Sequence, residues 1–233
     1  MSLQKLSIII PVYNEQNTII PLIQKVDTVG LPNGVEREII VINDASNDGT
    51  LERLETLQDK SHIYVFNRVR RYGKTAAVKF GISKAKGDFI IIQDADLEYN
   101  PTYYSQLLMP LLNGEADVVY GSRFKGKIKN MKLINRIANK VSTTTLNILF
   151  SSNISDMHTC YKLFRRDILS NINITSSNFS FDTEITAELL RRGIKIYEVP
   201  IEYRARSRKE GKKITWLTAV ETYFVLLKCK FRR

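Results

Sequence analysis

Cysteine and histidine are scarce, with two of each in 233 residues. Two cysteines, Cys160 and Cys229, cannot make a disulfide framework. His158 and Cys160 would begin a zinc set, but one other histidine and one distant cysteine cannot complete it. No run of roughly 18 apolar residues occurs, so no membrane span is expected. The opening MSLQKLSIIIPVYNE has an apolar run too short for a secretion signal, and no small-residue cleavage site follows. A cytoplasmic protein is therefore expected, and the Asn-x-Ser/Thr triplets at Asn153, Asn173 and Asn178 are chance matches. A P-loop is missing: Gly73-Lys74-Thr75 lacks the glycine five residues earlier, where Arg68 stands. No Gly-rich turn follows the first strand, which argues against nicotinamide chemistry, and no Gly-x-Ser-x-Gly elbow suggests a serine hydrolase. Helix-turn-helix, RNP and zinc-finger patterns are also lacking, so a basic nucleic-acid-binding protein remains a remote alternative.

What is present reads as an ordinary globular chain, 43% hydrophobic and 25% charged. Its length suits one large domain, or one domain with an appendage. The net charge of +11 is unevenly placed. Residues 123–140 carry seven basic side chains and no acid, and residues 204–233 carry ten basic and two acidic. Such stretches suit nucleotide phosphates, acidic lipid headgroups or nucleic acid, or else form a solvated basic surface.

Apolar β-branched runs alternate with helical patterns in the first half. Strands are expected at Ser7–Val12, Glu38–Ile42, Ile63–Phe66, Asp88–Ile92 and Asp117–Tyr120. Helices are expected at Asn17–Val29, Thr50–Gln58, Lys74–Lys86 and Pro101–Asn113. Near-continuous apolar strands are buried on both faces, which predicts a doubly wound, mostly parallel α/β sheet with helices on both sides. The second half predicts a long helix Met131–Phe150, a strand Cys160–Phe164 and a polar connection over 170–180. There follow a helix Asp182–Arg192 closed by Gly193, a strand Lys195–Tyr203, a basic loop Arg204–Lys213 and a last helix Ile214–Lys230. In that last helix Trp216, Leu217, Val220, Tyr223, Phe224 and Leu227 recur at helical spacing.

Acidic residues follow the strands: Glu15 after the first, Asp44 after the second, Asp94 and Asp96 after the fourth. Ligands of open α/β sheets bind at that carboxyl edge. An acid after a strand can also be a helix N-cap, a reading that serves Asp44 or Asp48 alone but explains Asp94-Ala95-Asp96 poorly. Two carboxylates on one side of a turn suit Mg²⁺ or Mn²⁺ shared with a phosphate, and Glu98 could be a third ligand.

Taken in order, these motifs resemble family 2 glycosyltransferases of the GT-A fold, in the dolichol-phosphate mannose synthase-like branch. The resemblance runs from about Ser7 to Trp216. It is carried by Pro11-Val12-Tyr13-Asn14-Glu15, by Val41 to Thr50, by Gly73 to Ala77 and by Asp94 to Glu98 with Pro101. Gly121-Ser122-Arg123, Asp156 to Phe164, Phe181-Asp182 with Glu184, Glu198 to Ile201 and Tyr203 to Ile214 continue it. It implies an inverting, metal-dependent transfer of a hexose from a nucleotide sugar, of GDP-mannose or UDP-glucose type, to a polyprenyl phosphate. The alternative is a saccharide, lipid or protein hydroxyl as acceptor. The resemblance also implies a transferase domain over 1–213, with 1–122 holding the nucleotide sugar and 123–213 facing the acceptor.

Roles follow residue by residue. Pro11, Tyr13, Glu15 and Asp44 would hold base and ribose, with Lys74, Asp94, Ala95 and Asp96 completing the donor site. Asp94, Asp96 and Glu98 would bind Mg²⁺ or Mn²⁺. Arg123, Arg206 and Lys212 would face diphosphate or acceptor phosphate. Asp156 would sit near the transferred sugar, or merely cap a loop; with a hydroxyl acceptor it would be the base. Relatives often carry transmembrane helices after this domain. The sequence here ends Lys228-Cys229-Lys230-Phe231-Arg232-Arg233, so a peripheral position at a cytoplasmic, anionic membrane face is expected. The basic helix at 214–233 would lie there, or pack on the domain's own core.

Overall fold

The computed structural model of the chain describes residues 4–57, 60–172, 174–175, 180–206 and 217–232, with 217–221 as backbone only. The first half runs β1 (Gln4–Val12), α1 (Ile19–Thr28), β2 (Val35–Asn43), α2 (Thr50–Glu55), β3 (Ile63–Asn67), α3 (Lys74–Lys84) and β4 (Phe89–Ile92). A 3₁₀ turn at Pro101–Tyr103 leads into α4 (Tyr104–Leu112), then β5 (Val118–Ser122). The second half runs β6 (Ile128–Lys129), α5 (Leu133–Phe150), β7 (Lys162–Arg165), α6 (Arg166–Ser170), α7 (Phe181–Arg191), β8 (Ile196–Pro200), β9 (Tyr203–Arg204) and α8 (Leu217–Lys230).

Seven strands form one sheet in the order β3-β2-β1-β4-β7-β5-β8, and β6 pairs with β9 separately. Ile8, Ile9 and Ile10 are all fully buried, as are all four residues of β4 within 2%. Burial of successive residues means both sheet faces are covered, as the unbroken apolar runs predict. Each such side chain contributes about 1.5–3 kcal/mol by leaving water. Helix α1 buries Ile19, Leu22, Ile23 and Val26, the spacing of one helical face. Helix α7 ends as expected: Gly193 has φ +72, and the N–H groups of Gly193 and Ile194 donate to Leu190 and Leu189. That is the paired bonding of a Schellman cap.

Three features differ from the sequence reading. Strand β7 is antiparallel to both β4 and β5, so the sheet is parallel except at that strand. The expected strand Lys195–Tyr203 is two: β8 pairs with β5 as far as Pro200, and Tyr203 then donates to Lys127 beside β6. A short helix, α6, stands where no element was expected. The C-terminal helix packs on the domain: Leu226 and Cys229 are buried with Leu146, Ile154, Met157 and Ala187. Its apolar stripe therefore runs through Leu226 and Cys229, while Phe224 and Leu227 are exposed. Trp216 lies outside the described residues. Among the described residues, no helix is long and apolar enough to cross a membrane.

Candidate active site

Strands β1, β2 and β4 lie side by side and end at one edge, with Val12 opposite Asn43 and Ile9 opposite Ile92. The segments that follow them are therefore neighbours. Each leaves its strand through a left-handed residue: Asn14 at φ 54, Ala45 at φ 57 and Leu97 at φ 61. Such conformations cost non-glycine residues on the order of 1–3 kcal/mol and mark positions the surroundings hold in place. At Leu97 the turn lets the Glu98 N–H donate to Asp96 Oδ1 at 3.1 Å.

Four acids meet two cations at this edge. Lys74, at the start of α3, reaches Asp94 at 2.6 Å. Arg206, beyond β9, donates to Glu15 at 2.9 Å and to Asp96 at 3.0 Å. Its Nε is buried without a hydrogen bond, 3.9 Å from Glu98 Oε1. Glu98 itself accepts the Arg206 N–H at 2.6 Å and the Tyr203 hydroxyl, so it anchors the strand end that carries Arg206. Burial, then the charges of Asp94 and Glu98, push the Asp96 carboxyl up to about 7 against the pull of Arg206. Burial lowers the Lys74 ammonium, but the Asp94 charge outweighs it and holds the group above the usual lysine range. The acids form a crowded set of hard oxygen donors whose mutual repulsion calls for a cation. Among the described residues no three of them surround one point, and the Arg206 guanidinium lies between them.

A polar and aromatic platform supports the acids from beneath. Gln93 is fully buried; its Oε1 accepts the hydroxyls of Tyr104 and Tyr161, and its Nε2 donates to the Asp94 carbonyl. The Tyr99 ring packs on Tyr161 at 4.9 Å and on Tyr203 at 5.1 Å. Sequence reasoning gave Gln93, Tyr99, Tyr104, Tyr161 and Tyr203 no role of their own, although Tyr161 and Tyr203 fall in motifs that carry the resemblance. The available signal was a glutamine and several tyrosines on otherwise apolar segments.

At the end of β2, Asp44 is buried and accepts the N–H groups of Tyr72 and Gly73 at 3.0 and 2.7 Å. Gly73 has φ 92, a backbone shape that glycine adopts at no steric cost, and it brings two successive N–H groups onto one carboxylate. Arg71 stacks on the expected base-binding Tyr13 at 4.0 Å, while Arg68 and Arg70 lie over Tyr72 at 4.1 and 4.8 Å. This cationic loop was also missed, although three arginines before a glycine were there to read. Pro11 is the half-buried penultimate residue of β1, and Ala95 is buried between the two aspartates.

Arg123 and Asp156 are not free groups at the mouth of the site. Arg123 Nε and Nη2 donate to Asp156 at 2.7 and 2.8 Å, and the Arg123 N–H adds a third bond at 3.0 Å. Arg123 is 6% exposed and Asp156 is fully buried. Burial works against the charge on Arg123, but Asp156 outweighs it and holds the guanidinium ionised. The Arg123 guanidinium lies 5.0 Å over the Tyr203 ring, which ties the pair to the segment bearing Arg206. Glu198 on β8 accepts the N–H groups of Ser155 and Asp156 and so holds the turn in place. Of the three residues expected to face phosphate, Arg123 and Arg206 are thus paired with the chain's own acids. Lys212 lies outside the described residues.

Comparison with known proteins agrees with this architecture. Residues 7–172 match the family described as Glycosyl transferase family 2. A dolichol-phosphate mannosyltransferase of Pyrococcus furiosus is 29% identical over 214 residues, covering 89% of this chain and 59% of that protein. The low-salt glycan biosynthesis hexosyltransferase Agl6 of Haloferax volcanii is 28% identical, covering 86% of this chain and 48% of that one. The chain thus spans only about half to three-fifths of these relatives. Among solved structures, glucosyl-3-phosphoglycerate synthase from Mycobacterium tuberculosis, in complex with Mn²⁺, UDP and phosphoglyceric acid, superposes with a TM-score of 0.76. It is 19% identical, and the match covers 98% of this chain and 79% of that one. The sheet order, the acidic carboxyl edge and the match over residues 7–172 lead to one conclusion: this chain belongs to glycosyl transferase family 2.

Proposed function

We propose that the chain transfers a hexose, with inversion, from a GDP- or UDP-sugar to a polyprenyl phosphate. The observation that carries this is the gathering of Glu15, Asp94, Asp96 and Glu98 with Lys74 and Arg206 at the sheet's carboxyl edge. Support for the acceptor comes from the likeness to the Pyrococcus furiosus dolichol-phosphate mannosyltransferase. Asp94 and Asp96 would hold Mg²⁺ or Mn²⁺, with Glu98 beside them. That cation would supply charge for the departing nucleotide diphosphate.

The chain's own residues do the rest. Tyr13 and the Arg71 stacked on it offer ring and guanidinium faces to a nucleobase. Arg206 exchanges its bonds to Glu15 and Asp96 for phosphate oxygens, a contact its forked donors suit. Lys74 pairs with Asp94 at 2.6 Å and so orients its carboxylate. Arg123 and Asp156 act as a buried brace that positions Tyr203, and through it the Arg206 segment. A phosphate acceptor is already anionic near neutral pH and needs little base catalysis. The hydroxyl-acceptor alternative draws less support, because its candidate base, Asp156, is buried with both oxygens bonded to Arg123.

The test is nucleotide release by purified protein with Mg²⁺ or Mn²⁺ and a panel of GDP- and UDP-sugars, with and without a polyprenyl phosphate. Release should require both metal and lipid, and Asp96→Ala should abolish it without lowering the melting temperature. Full turnover by that variant would sink the metal assignment, and release indifferent to the lipid would sink the acceptor.

A further inference from the structure

Gln93 is the one polar side chain in the run Phe89-Ile90-Ile91-Ile92-Gln93, and it is fully buried. It extends β4 by one residue, its N–H donating to the Ile9 carbonyl at 2.9 Å. Burying an amide is unfavourable unless its groups are bonded, and a methionine would fill a similar volume without that cost. The amide is bonded in one particular way. Its Oε1 has two lone pairs, which take the Tyr104 hydroxyl at 2.7 Å and the Tyr161 hydroxyl at 2.8 Å. Its Nε2 is thereby turned the other way, onto the Asp94 carbonyl at 2.9 Å.

Both hydroxyls come from fixed rings. Tyr104 opens α4 and is fully buried. Tyr161 is also fully buried; its carbonyl accepts the Gly121 N–H at 2.8 Å, and a Cβ on Gly121 would stand only 2.9 Å from Tyr161 Cβ. Burial holds both phenols well above the usual tyrosine range, so both remain protonated donors. The bond to Asp94 differs in kind. Asp94 is half-buried, so water can serve its carbonyl, and satisfaction alone does not demand the glutamine. What the direct bond adds is orientation. The Asp94 carbonyl belongs to the peptide joining Asp94 to Ala95, the first of the two links between the paired aspartates. A fully satisfied buried network is rigid, and this one ends on that peptide.

We infer that Gln93 is a positioning residue: it fixes the peptide between Asp94 and Ala95, and so sets how tightly Asp94 and Asp96 hold a divalent cation. The inference rests on the reading of those aspartates as cation ligands, and on no particular sugar or acceptor.

The experiment is Mn²⁺ binding by the full chain, read from the electron paramagnetic resonance signal of the free ion. It is run with and without GDP or UDP, against nucleotide-only controls, and melting temperatures are taken in parallel. Gln93→Met removes the acceptor for both hydroxyls and the donor to Asp94. It should bind Mn²⁺ about ten- to a hundredfold more weakly, the range for lost outer contacts of metal ligands. It should also melt lower, because two buried hydroxyls lose their partner. The triple variant Gln93→Met/Tyr104→Phe/Tyr161→Phe removes those hydroxyls as well. Its melting should return to within about 4 °C of the parent, while its Mn²⁺ binding stays as weak as that of Gln93→Met. Tyr104→Phe alone leaves the Tyr161 hydroxyl to hold the amide and should bind Mn²⁺ as the parent does. Affinity that simply follows melting temperature across these variants would overturn the inference, since the network would then serve the core alone. Parent-like affinity in Gln93→Met would overturn it too. A parent that binds no Mn²⁺ with either nucleotide would instead refute the reading of Asp94 and Asp96 as cation ligands, and this inference with it.

Discussion

Removing Asp156 should damage stability before it touches chemistry. Its carboxylate accepts three hydrogen bonds from Arg123, all at or below 3.0 Å, in a fully buried position. Asp156→Ala strands a guanidinium that is itself only 6% exposed. Breaking one side of a buried pair costs about 3–5 kcal/mol, a large share of the roughly 5–15 kcal/mol that holds a domain together. For a chain of this length, 1 kcal/mol moves the melting temperature by roughly 2 °C, so a fall of about 6–10 °C is expected. Arg123→Met should lose a similar amount. The double variant should lose much less than the sum, because neither charge is then left alone; a coupling of at least about 2 kcal/mol is expected. Calorimetry and urea unfolding on the four proteins close the cycle, with nucleotide release measured on each. A brace predicts that the double variant recovers stability and part of the activity. An Asp156→Ala protein that melts within 2 °C of the parent, as roughly 1 kcal/mol would give, yet cannot transfer sugar, would refute the brace and return Asp156 to the role of base.

Two further outcomes test the local physics. Burial holds the His158 ring down at about 4, so the native state resists a proton that the unfolded chain takes near 6.5. Stability from this residue is complete above pH 6.5 and is lost as pH falls towards 4; between pH 7 and 4.5 the loss is roughly 2 kcal/mol. Urea unfolding of the parent and of His158→Gln at both pH values should differ by that amount, and identical pH slopes would contradict it. At Ala45, with φ 57, a β-branched side chain is strained, so Ala45→Val should lose about 1–3 kcal/mol in the same assay. An unchanged midpoint would mean the turn is not held.

Much of the fold and the acidic edge was legible in the sequence because their signals are local. SIIIPV, EIIVI and FIII announce buried strands wherever the chain goes, and an acid just after such a strand must lie at the sheet's carboxyl edge. The antiparallel direction of β7 was not legible, since direction depends on which strands flank it and not on Lys162–Arg165 alone. Arg206 reaches Glu15 across 191 residues, and Arg123 meets Asp156 across 33. Residue type marked all four as charged, but only the packed chain decides whether a charge faces substrate or another charge. The same holds for α5: a long helix was expected there, but not that Leu133, Ile134 and Ile148 would lie exposed while Leu146 is buried. Periodicity shows that a helix has two faces; which one turns inward is decided by the partners it meets, here the His158 ring and the backbone of Ile154 and Met157.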